Sequence, residues 1–283
     1  MGRQPVLEPR TVFRNAMADA GIPAAGVLRR IDAEICHLVA DVHATPAIPA
    51  AQIVAPVFIT GLPRSGTTYL HRLLDGMFGL TAPRAWEMMH PSPPIAGRSD
   101  PHRIGKCAEV LAAMPPALLE MHPTSATAAE ECGMMTLLSY DCASLVTAFA
   151  APDYARWFYQ SSRDRAYGIH RRVLQHLQFG RPATRWVLKS PEHLFDLDAL
   201  FRVYPDATVI RINRDVADVL PSFVRLFAEL RATNGCAFDA VEAHEFCRVM
   251  LDKSAGDRRV RHVAFSDLIA DPAAVTSLIG TII

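Results

Sequence analysis

The 283-residue chain lacks most of what would mark it for export or for the membrane. No uninterrupted apolar run reaches the roughly 20 residues that a spanning helix needs. The amino terminus, MGRQPVLEPR, has prolines and charges where a signal peptide carries an apolar core, and Val6 where a myristoylation signal carries Ser or Thr. Net charge is missing too: 29 Lys and Arg balance 29 Asp and Glu, so no overall field draws nucleic acid or an anionic bilayer. Cys36, Cys107, Cys132, Cys142, Cys236 and Cys247 are scattered, with no CxxC pair and no histidine at metal-ligand spacing. That pattern argues against a disulfide framework and against zinc, and fits buried thiols. Internal repeats and low-complexity runs are absent. A soluble, cytoplasmic protein with a substantial core is expected, half of its residues being apolar. Any anion site must be local.

Apolar positions at helical spacing (Ile31, Ile35, Leu38, Val39) predict a helical segment over residues 10–43, ending in the loop-like HATPAIPAAQ. IVAPVFITG reads as a buried strand: it is short, β-branched and closed by glycine, and the helical pattern TTYLHRLLDGMF follows at once. From Pro83 to Pro116 the chain is proline-rich and reads as irregular; from about Glu130 to Gln178 it reads as mostly helical. After FGRPATR come a strand, RWVLK, a helix through HLFDLDALFRVY, a strand, ATVIRIN, a helix, DVADVLPSFVRLFAEL, and a weaker strand in RVRHVAFSDL.

Strands alternating with helices imply an α/β fold: a P-loop-type parallel sheet flanked by helices, with ligands at the carboxyl ends of the strands. One domain is expected, with an N-terminal helical segment (1–50), a strand–loop–helix unit (51–82), a mainly helical insertion on the acceptor side (83–183) and the rest of the core (184–283).

The segment Gly61-Leu-Pro-Arg-Ser-Gly66-Thr67-Thr68 has the glycine spacing of GxxxxGK[ST], but Thr67 stands where the lysine belongs. Backbone amides of such a turn and the positive end of the next helix still cradle phosphate oxygens. What is lost is the lysine that reaches the β- and γ-phosphates, and the later strands end in LKS and INR, without an acidic metal partner. Magnesium-dependent triphosphate chemistry is therefore poorly supported. Arg64, inside the loop, supplies a planar fork for phosphate from another direction. The plain alternative is a Gly/Pro turn joining strand to helix.

PRSGTT after a buried strand resembles the 5′-phosphosulfate loop of sulfotransferases that use 3′-phosphoadenosine 5′-phosphosulfate (PAPS). The resemblance implies that Arg64, Ser65, Gly66, Thr67 and Thr68 hold the 5′ end of that co-substrate, with no metal. RINRDVADVLPSF resembles the family's second motif, an arginine at a strand end and a serine eight positions on. Arg214 and Ser222 are thereby implied to bind the 3′-phosphate, where a charged fork, a hydroxyl and a helix opening are what a second phosphate needs. Read alone, Arg214 is a surface cation paired with Asp215 or Asp218. Pro221 would free a carbonyl inside this helix and aim Ser222.

For the chemistry, Lys189 resembles the lysine of the family's K-[ST]-x-H segment, implied to reach the bridging oxygen; read alone, it is a solvated strand-end lysine. Two bases compete. Glu87, in APRAWEMMHP, lies where tyrosylprotein sulfotransferases carry their catalytic glutamate; its plain reading is a salt bridge to Arg84 or another nearby arginine. His193, in KSPEH, resembles the histidine of the cytosolic enzymes but lies two residues further from the lysine; its plain reading is a cap or a satisfied buried imidazole. Glu87 is preferred. Glu130 and Glu131 have only structural readings, as helix-start charges or a cleft lining. The aromatic run Tyr154, Trp157, Phe158, Tyr159 reads as helix core before substrate wall.

The likeness spans roughly residues 50–270, to FSDLIADP, which resembles the family's Y-x-D-L-x-x-D-P. It implies a bacterial or tyrosylprotein-like PAPS-dependent sulfotransferase acting on a small-molecule or lipidic hydroxyl acceptor, with homodimerisation left open. Two other readings stand beside it: a P-loop nucleoside or small-molecule kinase, and a truncated, non-catalytic nucleotide-binding protein. The chain stops at TSLIGTII, before the basic, glycine-containing loop that closes over the 3′-phosphate in the cytosolic enzymes.

Overall fold

The computed structural model describes residues 8–95, 97, 99–182 and 185–283; the reading of residues 1–7 and part of the FGRPATR turn lie outside them. Five strands, β1 (Val57–Gly61), β2 (Leu80–Thr81), β3 (Arg185–Lys189), β4 (Thr208–Asn213) and β5 (Val260–Ala264), form one sheet in the order β2-β3-β1-β4-β5. Every pairing is parallel. The expected α/β fold with a parallel sheet flanked by helices is what the chain adopts.

Both faces of the sheet are buried, and the alternation along the strands sorts them. Val57, Ile59, Val187, Ile210 and Ile212 pack on the face covered by the helices Thr67–Leu74 and Pro272–Ile282. Phe58, Trp186, Leu188 and Val209 face the larger core, where the helical insertion and the N-terminal helices pack. Period-two side chains that are apolar on both faces give the unbroken apolar strands typical of a parallel sheet.

One local expectation, the irregular reading of Pro83 to Pro116, needs correction, and others gain detail. The segment 10–43 forms two helices, Pro9–Asp19 and Ala25–Ala44, broken at Gly21, whose φ is +69°. The stretch from Pro83 to Pro116 is not irregular throughout: it contains the helices Ala85–Met89 and Pro101–Ala112. Asp100 caps the second by accepting a hydrogen bond from Arg103 N at 3.1 Å, and Pro101 occupies the first turn, where a missing N–H costs nothing. The two-residue β2 was not anticipated; its partner is β3. Within 130–178 the chain forms short helices and one long one, Asp164–Gln178. Tyr154 and Phe158 are core residues, Tyr154 meeting Phe13 edge-on at 5.2 Å. Among the described residues, no helix is long and apolar enough to cross a membrane.

Phe58, at the centre of β1, packs against the rings of His193, Tyr204 and His170 at 5.0, 5.2 and 5.8 Å. Phe58→Ala leaves a cavity at the middle of the sheet and is expected to cost about 3–5 kcal/mol in urea denaturation. A loss under about 1 kcal/mol would show that this core is not close-packed.

Candidate functional site

The site lies at the carboxyl ends of β1, β3 and β4, where the chain leaves β1 for one side of the sheet and later crosses to the other. Such a switch point opens a crevice between neighbouring loops. The ends are fastened together: Thr60 Oγ1 donates to the carbonyl of Ser190 at 3.0 Å, and Cys132 N donates to the carbonyl of Lys189 at 3.0 Å.

After β1 the chain turns through Gly61–Gly66 into the helix Thr67–Leu74. Gly61, at φ +153°, has no room for a side chain: a Cβ there would lie 2.6 Å from Ser65 Oγ and 2.7 Å from the carbonyl oxygen of Ile212. Gly66 is left-handed at φ +95° and lies against the ring of Phe265. Arg64 is also left-handed, at φ +70°, an uncommon state for a non-glycine residue and one associated with functional turns. The first amides of the following helix have no intrahelical acceptor.

Arg64 Nε donates to Ser222 Oγ at 3.0 Å, and one of its terminal nitrogens donates to the carbonyl of Met121 at 2.6 Å. Arg214 Nη1 donates to the carbonyl of Arg64 at 3.2 Å, while its guanidinium stacks on Phe265 at 4.2 Å. The expectation that residues 64 and 214 serve one site thus meets a direct contact. Arg214 forms no ion pair with Asp215 or Asp218; Asp215 caps its helix by accepting from Ala217 N at 2.8 Å. Burial first, and the neighbouring Arg214 second, push the Arg64 pKa down. Ser65 Oγ and Arg214 Nε are buried with no hydrogen-bond partner among the described residues.

A cavity of about 620 Å³ opens from this loop. Arg64, Gly66, Thr67, Thr68 and Arg214 line it together with Glu130, Glu131, Glu192, His122 and Ser190 and with methionine, leucine and phenylalanine side chains. Glu130 is held by His122 at 2.9 Å and by the N–H of Glu131 at 2.8 Å. Although burial opposes it, the His122 contact helps to hold Glu130 far below the usual carboxylate range, and the same contact raises His122. Glu131, about a third exposed, is paired with Lys189 through Oε1.

Neither candidate base lines this cavity. Glu87 is fully buried behind the wall, with Oε1 accepting from Arg181 at 2.7 Å and Oε2 from the N–H of Arg84 at 2.8 Å. An arginine partner is what its plain reading foresaw, but the partner is 94 residues away in sequence. His193 is also fully buried, with Nδ1 2.9 Å from Tyr167 Oη and Nε2 3.3 Å from Cys132 Sγ. Lys189 is buried as well, so its charge reaches the cavity through Glu131. The sequence reading missed Phe265 as the platform under Arg214; it had Glu131 only as a lining, a signal limited to the paired acidic residues.

Residues 56–281 match the Sulfotransferase family, and the chain belongs to that family. A sulfotransferase of Mycobacterium tuberculosis, STF1, superposes with a TM-score of 0.78 at 26% identity, over 96% of this chain and 80% of the other. Another, STF9 of Mycobacterium avium, gives 0.76 at 22% identity, over 98% and 84%; at that identity the likeness concerns the fold. No curated protein matches the chain.

Burial keeps three imidazoles around the site neutral. His71 is pulled down to about 4, His170 to about 3, and His193 well below its ordinary range. On unfolding each returns to about 6.5. The unfolded chain therefore binds more protons below that value, and this contribution to stability, complete above it, shrinks as pH falls toward the folded values. Each such proton gives a slope of about 1.4 kcal/mol per pH unit. Urea denaturation between pH 7 and pH 5 is expected to show falling stability, and His170→Phe to remove about one proton from the slope. An unchanged slope in the variant would mean that His170 titrates normally in the folded protein.

Proposed function

We propose that the protein transfers a sulfuryl group from PAPS to a hydroxyl acceptor. The observation that supports this most directly is the pairing of Arg64 and Arg214: Arg214 holds the Arg64 carbonyl at 3.2 Å, Arg64 holds Ser222 at 3.0 Å, and no carboxylate pairs with either among the described residues. Two adjacent cations, a loop of helix-start amides and the unpartnered Ser65 Oγ and Arg214 Nε fit a ligand with two anionic ends. Thr67, in place of the P-loop lysine, weighs against a kinase.

When bound, the donor supplies a sulfuryl group whose bond to the 5′-phosphate oxygen breaks as the acceptor oxygen bonds to sulfur, the phosphate keeping the electron pair. Arg64 and the amides of Gly66–Thr68 are suited to hold the 5′ end and stabilise the charge growing there, the Ser65 amide being taken by the Leu62 carbonyl at 3.1 Å. Arg214 and Ser222 are suited to the 3′-phosphate. For the proton we favour Glu131 over Glu87 and His193, because it lines the cavity, stays about a third exposed and meets Lys189 through Oε1 alone; Glu130 lines the cavity too, but it is buried and, against that burial, held far below the usual carboxylate range by His122. Lys189 then acts as a positioning residue, fixing Glu131 through Oε1.

Stabilisation in a thermal shift by 3′,5′-diphosphoadenosine, and not by magnesium-ATP, is the expected first result. Arg64→Ala and Arg214→Ala should each weaken that binding about 10- to 100-fold, the worth of a hydrogen bond to a charged group. Glu131→Gln should keep nucleotide affinity and lower turnover of labelled donor, assayed with a metabolite extract, by at least about 100-fold. Glu87→Gln should instead lose about 3–5 kcal/mol of stability, because Arg181 is left buried and unpaired. A Glu87→Gln protein that folds normally but cannot turn over would return the base to Glu87, and a shift with magnesium-ATP alone would sink the donor assignment.

A further inference from the structure

The cavity does not end at the anion-binding loop. The helix Val216–Thr233 contributes Ser222 to Arg64, and the same helix then presents Phe223, Leu226 and Leu230 to the cavity, spaced three and four apart on one face. Across the space lie Phe246 and Met250, one helical turn apart on Ala240–Lys253. Met89, Met114, Met134 and Leu137 extend the apolar lining.

Charge in this lining is already matched. Glu130 pairs with His122, and Glu131 with Lys189. The carboxylate of Glu192 accepts from Thr136 Oγ1 at 2.6 Å and from Ala143 N at 3.1 Å, backed by Arg163 at 3.4 Å. Beyond Arg64 and Arg214, no lining cation among the described residues is left unpaired for an anionic acceptor, and away from the loop the hydroxyls of Thr124, Ser144, Thr147 and Ser190 are outnumbered by leucine, methionine and phenylalanine side chains, which offer no donors for a polyhydroxylated one. Methionine side chains are flexible and fill irregular space, so a wall rich in them suits a ligand body without fixed shape.

We propose that this far part of the cavity is an acceptor chamber for an alcohol with a flexible, lipid-like hydrocarbon body. The hydroxyl sits beside Glu131 and the chain runs along Leu226, Leu230 and Met250. The inference rests on the sulfuryl-transfer reading above and narrows it: a hydrophobic alcohol is accepted, an acidic tyrosine peptide or a free sugar is not. In the transfer, the alcohol oxygen gains the bond to sulfur and its proton passes to Glu131, so that a sulfate ester and 3′,5′-diphosphoadenosine are the products.

The test is a calorimetric titration of the full chain with unbranched primary alcohols from hexan-1-ol to dodecan-1-ol, alongside a thermal shift with 3′,5′-diphosphoadenosine. Affinity is expected to rise about three- to fourfold with each methylene until the chamber is full. Leu226→Trp, which fills the chamber, should shorten the best-bound chain while the nucleotide shift persists. Half-buried Leu226 tolerates enlargement, and the persisting nucleotide shift reports that the variant is folded. A flat affinity series with the nucleotide shift intact overturns the chamber and leaves the donor reading standing. Tighter binding of an acidic tyrosine peptide or a sugar than of every alcohol also overturns it. A methylene gradient without any nucleotide shift overturns the donor reading, and the acceptor role with it, leaving only an apolar ligand site.

Discussion

Two guanidinium groups brought together from the ends of two neighbouring strands, without a carboxylate between them, are the constraint on which the site depends. Like charges in one site repel, and, after burial, Arg214 is among the causes that lower the Arg64 pKa. The fold holds them there by other means: Arg214 donates to the Arg64 carbonyl and stacks on Phe265, and Arg64 donates to Ser222 and to the carbonyl of Met121. These contacts are to neutral oxygens and an aromatic face, so the positive charge is positioned without being cancelled. Burial and mutual repulsion then work in the same direction on Arg64, lowering its pKa. A dianionic ligand relieves both. The unfavourable arrangement is thus tied to function more closely than to stability, as local strain at sites often is.

The sheet makes that arrangement reproducible. Arg64 follows β1, Arg214 follows β4, and these neighbouring strands pair from Val57 opposite Thr208 to Gly61 opposite Ile212. A register shift of one residue would separate the two arginines and turn Phe58 to the opposite face. Gly61 is the narrow point: Ile212 and Ser65 occupy the space a side chain there would need. Core packing and site geometry therefore share the same backbone atoms, and the anion cradle cannot be loosened without disturbing β4.

What the sequence made legible was whatever is encoded within a few residues. β1, β3 and β4 announce themselves by short apolar runs and β5 more weakly, the loop by its glycines, and the second cation by an eight-residue interval from Arg214 to Ser222. The two residues of β2 are too few to show a period. Pro101 looked like a breaker because its role as a first-turn residue depends on Asp100 capping the helix, a side-chain contact that composition does not reveal. Glu87 illustrates the harder limit. Glu87 is buried beside Trp86 and Met88, and Arg181 arrives from the turn after a distant helix to pair with it. The long-range partner, not the local environment, decides whether a buried carboxylate is poised or merely paired.

The same reasoning explains why Glu131 and Lys189 form a different kind of pair from Glu87 and Arg181. Both partners of the second pair are enclosed, and a charge pair sealed from water stays as it is, since removing either charge strands the other. In the first pair only the lysine is sealed. The carboxylate remains about a third exposed toward the cavity, so a proton can reach it from a bound hydroxyl and leave again to solvent after turnover. An enclosed lysine also cannot swing away, which fixes Oε1 and leaves the geometry of Oε2 to be set by what enters the chamber.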